Sequence, residues 1–438
     1  MSAHIAQELK ARGVAEVIVV LKATTEPEVI SAARAARGAR LKAALAPAAA
    51  AAKALARYFV SSEMSLAAAV SDVDVPPPRA AARRKAARRG ARRVPPVRYF
   101  EHLGVMLGTV TRAGLAALRA DPRVRAVTGT PPLSLVRPPR VAAARLAARR
   151  TWGIEAMNIP ALWQQGLTGR GVLVGHLDTG VDGRHPVLRG AIATFAEFDA
   201  LGRERRPAPR PYDTDDHGTH TAATIAGRPV NGRAVGVAPG AHLASAIVIE
   251  GGDVVARVLG GMDWAVAQGV RILNMSLGFR GWWEDFRPVT RLLRARNILP
   301  VFAVGNEGPG TSRSPGNYSE ALSVGAFDED GAVADFSSSQ RFRRLRDPIV
   351  PDLVAPGVNV ISARPGGRYL AMDGTSMATP HIAGLAALLL QAKPDATETR
   401  VERAILRSCS RRPWMDRARA GRGVPDAAQA LAILVSER

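Results

Sequence analysis

Between residues 172 and 325, short and nearly continuous apolar runs alternate with stretches of helical period, and that alternation leaves few folds open. The runs are 172–177, 243–249, 271–277, 299–304 and 321–325, with helical stretches such as 254–268 and 288–296 among them. A strand that is apolar at every position has both faces buried, as in a parallel sheet covered by helices on either side. The expected fold class is therefore α/β, with a doubly wound, mostly parallel sheet. In such sheets ligands lie beyond the carboxyl ends of the strands. Asp178 directly follows the first run and Asn306 follows the fourth.

The 438 residues exceed what one ordinary core organises, and the pattern ahead of Trp152 is different. A strand at 17–21 precedes an Ala-rich helical stretch from about 27 to 58, which Pro76-Pro77-Pro78 closes off. Strand character at 100–110, a helix near 112–120 and a short strand at 124–127 complete a small α+β domain, residues 1–130. Within it, 79–98 is Arg-rich and of low complexity and reads as a mobile, solvated insertion. Residues 131–150 are rich in Pro and Arg, lack a period and read as a linker. The α/β domain is expected over 151–438.

The net charge of +22 would suit a nucleic-acid partner, so its location matters. Residues 1–150 carry 27 Lys/Arg against 9 Asp/Glu, whereas the remaining residues carry 33 against 29. The positive field belongs to the N-terminal third, which argues against nucleic-acid binding as the main role. Cys409 is the only cysteine, which excludes an intrachain disulfide and a cysteine-based zinc site. The longest apolar stretches, such as 382–390, fall short of a membrane span. The apolar run at 17–21 is too short for a signal-peptide core. That places the chain in the cytoplasm by default, or outside the cell if its true start lies upstream.

Four segments carry chemistry: His176-Leu177-Asp178-Thr179-Gly180, His217-Gly218-Thr219-His220, Ala303-Val304-Gly305-Asn306-Glu307-Gly308 and Gly374-Thr375-Ser376-Met377-Ala378-Thr379-Pro380. Each has a bland reading. An Asp-Thr-Gly forms turns, or half of an aspartic dyad that here lacks its second copy. The His-x-x-His pair suits a metal, but no third ligand stands out. A Ser between Thr and Met suits a helix N-cap. Together they supply what acyl transfer needs: a nucleophile, a base for its proton and a buried acid to orient the base.

The chain order Asp, His, Ser is that of subtilisin, and the sequence from about Trp152 to Leu431 resembles the subtilase family. The resemblance extends to Ser276-Leu277-Gly278, to Pro351-Asp352-Leu353-Val354-Ala355-Pro356-Gly357 and to Gly423-Val424-Pro425-Asp426-Ala427-Ala428. It implies a serine endopeptidase in which Ser376 attacks the scissile carbonyl, His217 takes and returns the proton, and Asp178 orients the imidazole. Asn306 and the backbone N–H of Ser376 would hold the oxyanion, with Pro380 in the first turns of the Ser376 helix. His220 is expected to be structural. By the same resemblance, Ser276, Leu277 and Gly278 form the edge that pairs with substrate, Gly278 allowing close approach. Ala303, Val304 and Gly305 help to wall the pocket for the residue before the scissile bond. Trp282-Trp283 is expected to pack on its own domain rather than to extend the cleft.

The N-terminal domain resembles, more loosely, the inhibitor-type propeptide of subtilases, with 17–22 as its first strand and 121–127 as its last. That implies a self-processing zymogen cut in the linker, around 139–151. Many subtilases also hold a calcium ion through an Asp after the catalytic Asp and an Asn after the catalytic His. Those positions fall on Val187 and Val230, so that site is expected to be lost, with Asn231 one residue along; no cofactor is expected. The expected partners are protein or peptide substrates and the chain's own propeptide, with no nucleic acid and no membrane, for a monomer. Two further readings stay open here: a catalytically silent relative acting as a binding module, and a nucleic-acid-associated protein using the Arg block.

Overall fold

The computed structural model describes residues 3–22, 39–61, 97–249, 254–342 and 347–436. Most of the Arg-rich insertion, like the start of the Ala-rich stretch, lies outside them. The chain divides into two compact units, Met1–Pro131 and Pro132–Arg438.

In the first unit, Val14–Leu21 runs through a four-stranded sheet in the order Arg98–Phe100, Val105–Thr111, Val14–Leu21, Val124–Gly129. Each adjacent pair is antiparallel. The apolar strand Val14–Leu21 is buried at every position but Glu16. Helix Arg112–Ala120 begins where the Thr111 hydroxyl accepts the Gly114 N–H at 3.1 Å, an N-cap, and it buries Leu115 and Leu118. Helix Ala3–Arg12, which the sequence reading lacked, brings Ile5 and Leu9 into the same cluster.

The second unit is built on a seven-stranded sheet, and every neighbouring pair is parallel. Its order is Leu353–Pro356, Leu322–Phe327, Leu299–Ala303, Ile272–Met275, Leu173–Asp178, His242–Ile247, Ile192–Glu197. The two outermost strands were not among the expected ones. Leu173–Asp178 lies inside the sheet while the chain grows outward to both sides of it. The order therefore reverses between this strand and Ile272–Met275, and Asp178 opens at that switch point. The run expected as one strand at 271–277 breaks at Ser276, and Leu277–Arg280 leaves the large sheet to pair elsewhere. Helix Val254–Gln268 has the expected bounds.

Helix Thr375–Ala392 packs across five strands of the sheet and is buried from Thr375 through Leu390. A helix apolar all round belongs in an interior, and its leucines join Ile225, Val301 and Val324 in the largest cluster of the unit. The stretch read as a linker is instead built into this unit. Ser134–Leu135 pairs with Leu277–Gly278, and Arg140–Ala144 pairs with Arg368–Asp373. Both partners are far away in sequence, so no local period announces these strands. Among the described residues no helix is long and apolar enough to cross a membrane.

Candidate active site

Asp178 ends its strand with both carboxylate oxygens buried and engaged. Oδ1 accepts His217 Nδ1 at 2.7 Å and the Thr179 N–H at 2.8 Å; Oδ2 accepts the Thr221 hydroxyl at 3.1 Å. Burial pushes this carboxyl up, but the adjoining His217 imidazole outweighs it and holds Asp178 below the usual carboxylate range. Burial likewise pulls His217 down, yet Asp178 outweighs it and the imidazole lies above its ordinary value. His217 opens helix His217–Ala226, and a Cβ on Gly218 would come 2.1 Å from Gly180 O, so only glycine lets the helix start this close to the acid's loop.

Asp213 is a residue that the sequence reading passed over. Its carboxylate accepts the Thr179 hydroxyl at 2.8 Å and both the N–H and the hydroxyl of Thr219 at 2.6 Å. The Thr179 hydroxyl in turn accepts the Gly218 N–H at 2.9 Å. Asp213 thus ties the loop after the acid to the helix that carries the base. Burial pushes it up to about 6 against the pull of these hydrogen bonds. In sequence it sits in an Asp-Thr-Asp-Asp-His run, where an acidic cluster reads as a solvated turn.

Ser376 is the second residue of its helix, which packs along the helix that His217 opens. Pro380 is the sixth residue of the helix, in its second turn, where its missing N–H would have bonded to Ser376 O. The Ser276 hydroxyl donates to that carbonyl instead, at 3.3 Å. Asn306 is fixed from the same helix: Thr375 N–H and Thr375 Oγ1 both donate to its Oδ1 at 2.9 Å. This sets which way the amide faces and turns Nδ2 toward the cleft.

A piece of the chain itself lies in that cleft. Leu135 and Ser134 run antiparallel to Leu277 and Gly278, and Val136 N–H donates to Ser276 O at 3.0 Å. The Ser376 hydroxyl donates to Val136 O at 2.6 Å, and Asn306 Nδ2 donates to Arg137 O at 2.9 Å. His217 Nε2 makes no hydrogen bond, so the serine has turned to the segment rather than to the base. A cavity of about 710 Å³ flanks the segment, bordered by Thr214, Asp215, Ile249 and Val254. Arg313 and Glu307 pair beneath the segment. Burial pushes the Glu307 carboxyl up, but Arg313 outweighs it and holds the group low.

The remaining candidates fall as follows. Ala303, Val304 and Gly305 are buried; Val304 O accepts the Arg313 N–H, and a Cβ on Gly305 would lie 3.1 Å from the Arg313 side chain. A Cβ on Gly278 would meet Ser314 O at 2.6 Å, so the close approach needing glycine is to the neighbouring strand and not to the occupant of the cleft. His220 is buried and hydrogen-bonded through Nε2 to Val360 O at 2.9 Å, and burial pulls it down to about 3. Trp282 makes edge contacts with Tyr318 and Phe342. Val187 is fully buried in the large apolar cluster and Val230 packs against it, so neither position offers a side-chain oxygen to a hard cation. Asn231 and Gly232 have φ of 50° and 74° in a tight turn between Val230 and Arg233, so Asn231 serves the left-handed turn. Among the described residues no group of three or more His, Cys, Asp or Glu could hold a metal.

A family model described as the subtilase family matches residues 169–429. Subtilisin Savinase of Lederbergia lenta is 38% identical over 254 residues, which are 57% of this chain and 87% of that protein. M-protease of Shouchella clausii is also 38% identical over 254 residues, and there the match spans only 62% of the relative's length. The Thermostable alkaline protease of Halalkalibacterium halodurans is 34% identical over 311 residues, 70% of this chain and 78% of that protein.

Proposed function

The chain belongs to the subtilase family and is a subtilisin-like serine endopeptidase; from that premise we propose that Asp178, His217, Ser376 and Asn306 perform the hydrolysis, in a protein made as a self-processing zymogen. Ser376 Oγ bonds to the scissile carbonyl carbon as its proton passes to His217 Nε2. The tetrahedral intermediate carries its negative charge toward Asn306 Nδ2 and the Ser376 N–H. As the C–N bond breaks, the same proton goes to the leaving amine, and the acyl group stays on Ser376. Water then adds with its proton to His217, and the ester breaks as Ser376 recovers its hydrogen. Asp178 keeps Nδ1 protonated and stabilises the imidazolium at each stage.

The observation that carries this reading is the peptide in the cleft. It adds a strand to Leu277–Gly278, as a substrate recognised through its main chain would. Attack requires one carbonyl to meet both the serine and the amide donor. Here the two act on successive carbonyls, Val136 O and Arg137 O. The segment is bound out of attacking register, which supports a latent precursor rather than a bond about to break. A shift of one peptide unit would present the Val136–Arg137 bond; the next bond is to the proline nitrogen of Pro138. We therefore move the processing bond upstream of the 139–151 region, to Val136–Arg137. Stored full-length protein is expected to shorten from 46.3 kDa to a species beginning at Arg137, while Ser376→Ala stays whole. A mature N-terminus elsewhere would overturn the bond, and an active enzyme left uncut would overturn the zymogen. A serine-directed fluorophosphonate that labels wild type and Ser376→Ala alike would remove Ser376 as the nucleophile.

The reading extends to calcium. With Val187 and Val230 in apolar contact, the melting temperature in excess EDTA should match that in millimolar calcium. A clear gain with calcium, or an ion seen at this loop, would contradict it.

A further inference from the structure

The motif around the catalytic acid carries a second imidazole, His176, that the hydrolysis described above does not use. It lies two residues before Asp178 on strand Leu173–Asp178, so both side chains project from one face of the sheet. Ser245 is its Cα partner on the next strand and faces the same way. The ring is fully buried and engaged at both nitrogens. Nδ1 lies 2.9 Å from Ser245 Oγ, and Nε2 lies 2.8 Å from Thr221 Oγ1. Nε2 also stands 3.8 Å from Asp178 Oδ2.

Counting hydrogens decides which way these bonds run. Thr221 has one hydroxyl hydrogen, and three oxygens stand within its reach: Asp178 Oδ2 at 3.1 Å, Gly218 O at 3.1 Å and His217 O at 3.2 Å. Were His176 Nε2 an acceptor, it would take that hydrogen and leave Asp178 Oδ2 without a donor, which is costly for a buried charged oxygen. The nearby carboxylate also favours the tautomer whose N–H lies on its own side. Nε2 therefore carries the hydrogen and donates to Thr221, while Nδ1 accepts from Ser245. The Thr221 hydrogen is left for the strongest acceptor in reach, the carboxylate. Three hydrogen bonds then point one way, from Ser245 through His176 and Thr221 to Asp178, each polarising the next. Burial pulls the His176 imidazole down to about 4 against the pull of Asp178, and His217 lowers it further, so the ring acts as a neutral dipole. We propose that His176 is a positioning residue for the catalytic acid, holding the Thr221 hydroxyl on Asp178 Oδ2 so that Oδ1 stays aimed at His217. This rests on the triad reading under Proposed function and deepens it.

The test reads kcat and KM on casein for full-length proteins, with active molecules counted by fluorophosphonate titration. The double variant His176→Phe with Ser245→Ala removes the ring nitrogens without stranding the serine hydroxyl. Its kcat should fall about tenfold with KM little changed, the size expected for a hydrogen bond to a charged group. Thr221→Val should cost about as much, and adding it to the double variant should cost no more than about twofold further, because both act through one bond. His176→Gln, which keeps an amide donor at the place of Nε2, should recover most of the loss. An unchanged kcat, a defect mainly in KM, or losses that multiply to roughly a hundredfold overturn the proposal. The tautomer is read separately, whether or not the double variant folds, by nitrogen NMR of Ser376→Ala labelled in its histidine rings. Adding His176→Gln identifies the signals of that ring. A proton on Nε2 is expected, and a proton on Nδ1 alone overturns the proposal. A wild type that leaves casein intact overturns the triad reading and this proposal with it.

Discussion

Asp178 and His217 differ from Ser376 and Asn306 in where their partners come from. The acid and the base are held wholly by neighbours in their own part of the fold: Thr179, Thr221 and, through Thr179 and Thr219, Asp213. The nucleophile and the oxyanion donor are oriented from behind by Thr375 and Ser276, but their reactive atoms are satisfied by Val136 and Arg137. The half that takes and returns the proton is finished before any peptide arrives. The half that meets the peptide is completed by whatever chain fills the cleft. A pre-set acid–base pair needs no reorganisation during the reaction, whereas exchangeable partners on the other half let the same atoms serve first the precursor and then the substrate.

The broadest break of this comparison is to remove one member from each half. His217→Ala and Ser376→Ala should each abolish casein turnover, with losses on the order of 10⁶, the size measured for these roles in subtilisin, a relative. Equal losses would mean that the halves act as one unit in catalysis although they are held separately. A purified variant with near wild-type turnover would end the assignment.

Asn306→Ala removes the donor from the peptide-facing half alone. The expected outcome is a drop in kcat of roughly 10²–10³ with KM little changed, a magnitude again taken from subtilisin. A defect mainly in KM would make Asn306 a binding residue instead.

Asp213→Asn sharpens the other half. An amide cannot accept from Thr179 and both Thr219 donors as the carboxylate does, so a loss of about tenfold in kcat/KM is expected. The pH profile separates this from simple loosening. His217 must be neutral to accept a proton, so activity rises with pH through its folded value, which Asp178 and then Asp213 hold above the ordinary one. Removing the Asp213 charge lowers that value, and the acid limb should move to lower pH. An acid limb that stays put, or moves up, would exclude electrostatic support from Asp213.

The smallest effect is expected at Ser276→Ala, which leaves Ser376 O without the hydroxyl that substitutes for the absent Pro380 N–H. About 1 kcal/mol of stability should be lost, seen as a fall of a few degrees in melting temperature. No change would mean that the carbonyl finds another partner at no cost.

The parts legible in the sequence are those whose cause is local. The inner strands of the large sheet are apolar at each position, and helix Val254–Gln268 repeats its apolar face along its whole length. Strand Ile192–Glu197 mixes Thr and Glu with its apolar residues, and Leu353–Pro356 ends in a proline; neither carries a plain strand signal. The residues of the two site halves were legible as motifs. Their connection through Asp213 was not, because it depends on where the Thr179 and Thr219 side chains turn after folding. Residues 134–137 were illegible as cleft occupants, because what defines them is a pairing with Leu277 and Gly278 more than a hundred residues away. A proline-rich stretch says only that no regular element forms locally.

The complete burial of helix Thr375–Ala392 through Leu390 bears on how this protein is lost as well as how it works. Amides in a peripheral helix exchange with solvent by fraying, but those of a helix at the centre of the largest cluster exchange only when the surrounding unit opens. Ser376 sits on that helix, so no partial melting can disarm the nucleophile while sparing the sheet. Hydrogen exchange along 381–390 should therefore report the global opening free energy of the second unit. Thermal inactivation should then follow its unfolding rate, so that shelf life is set kinetically, by the barrier to opening the core.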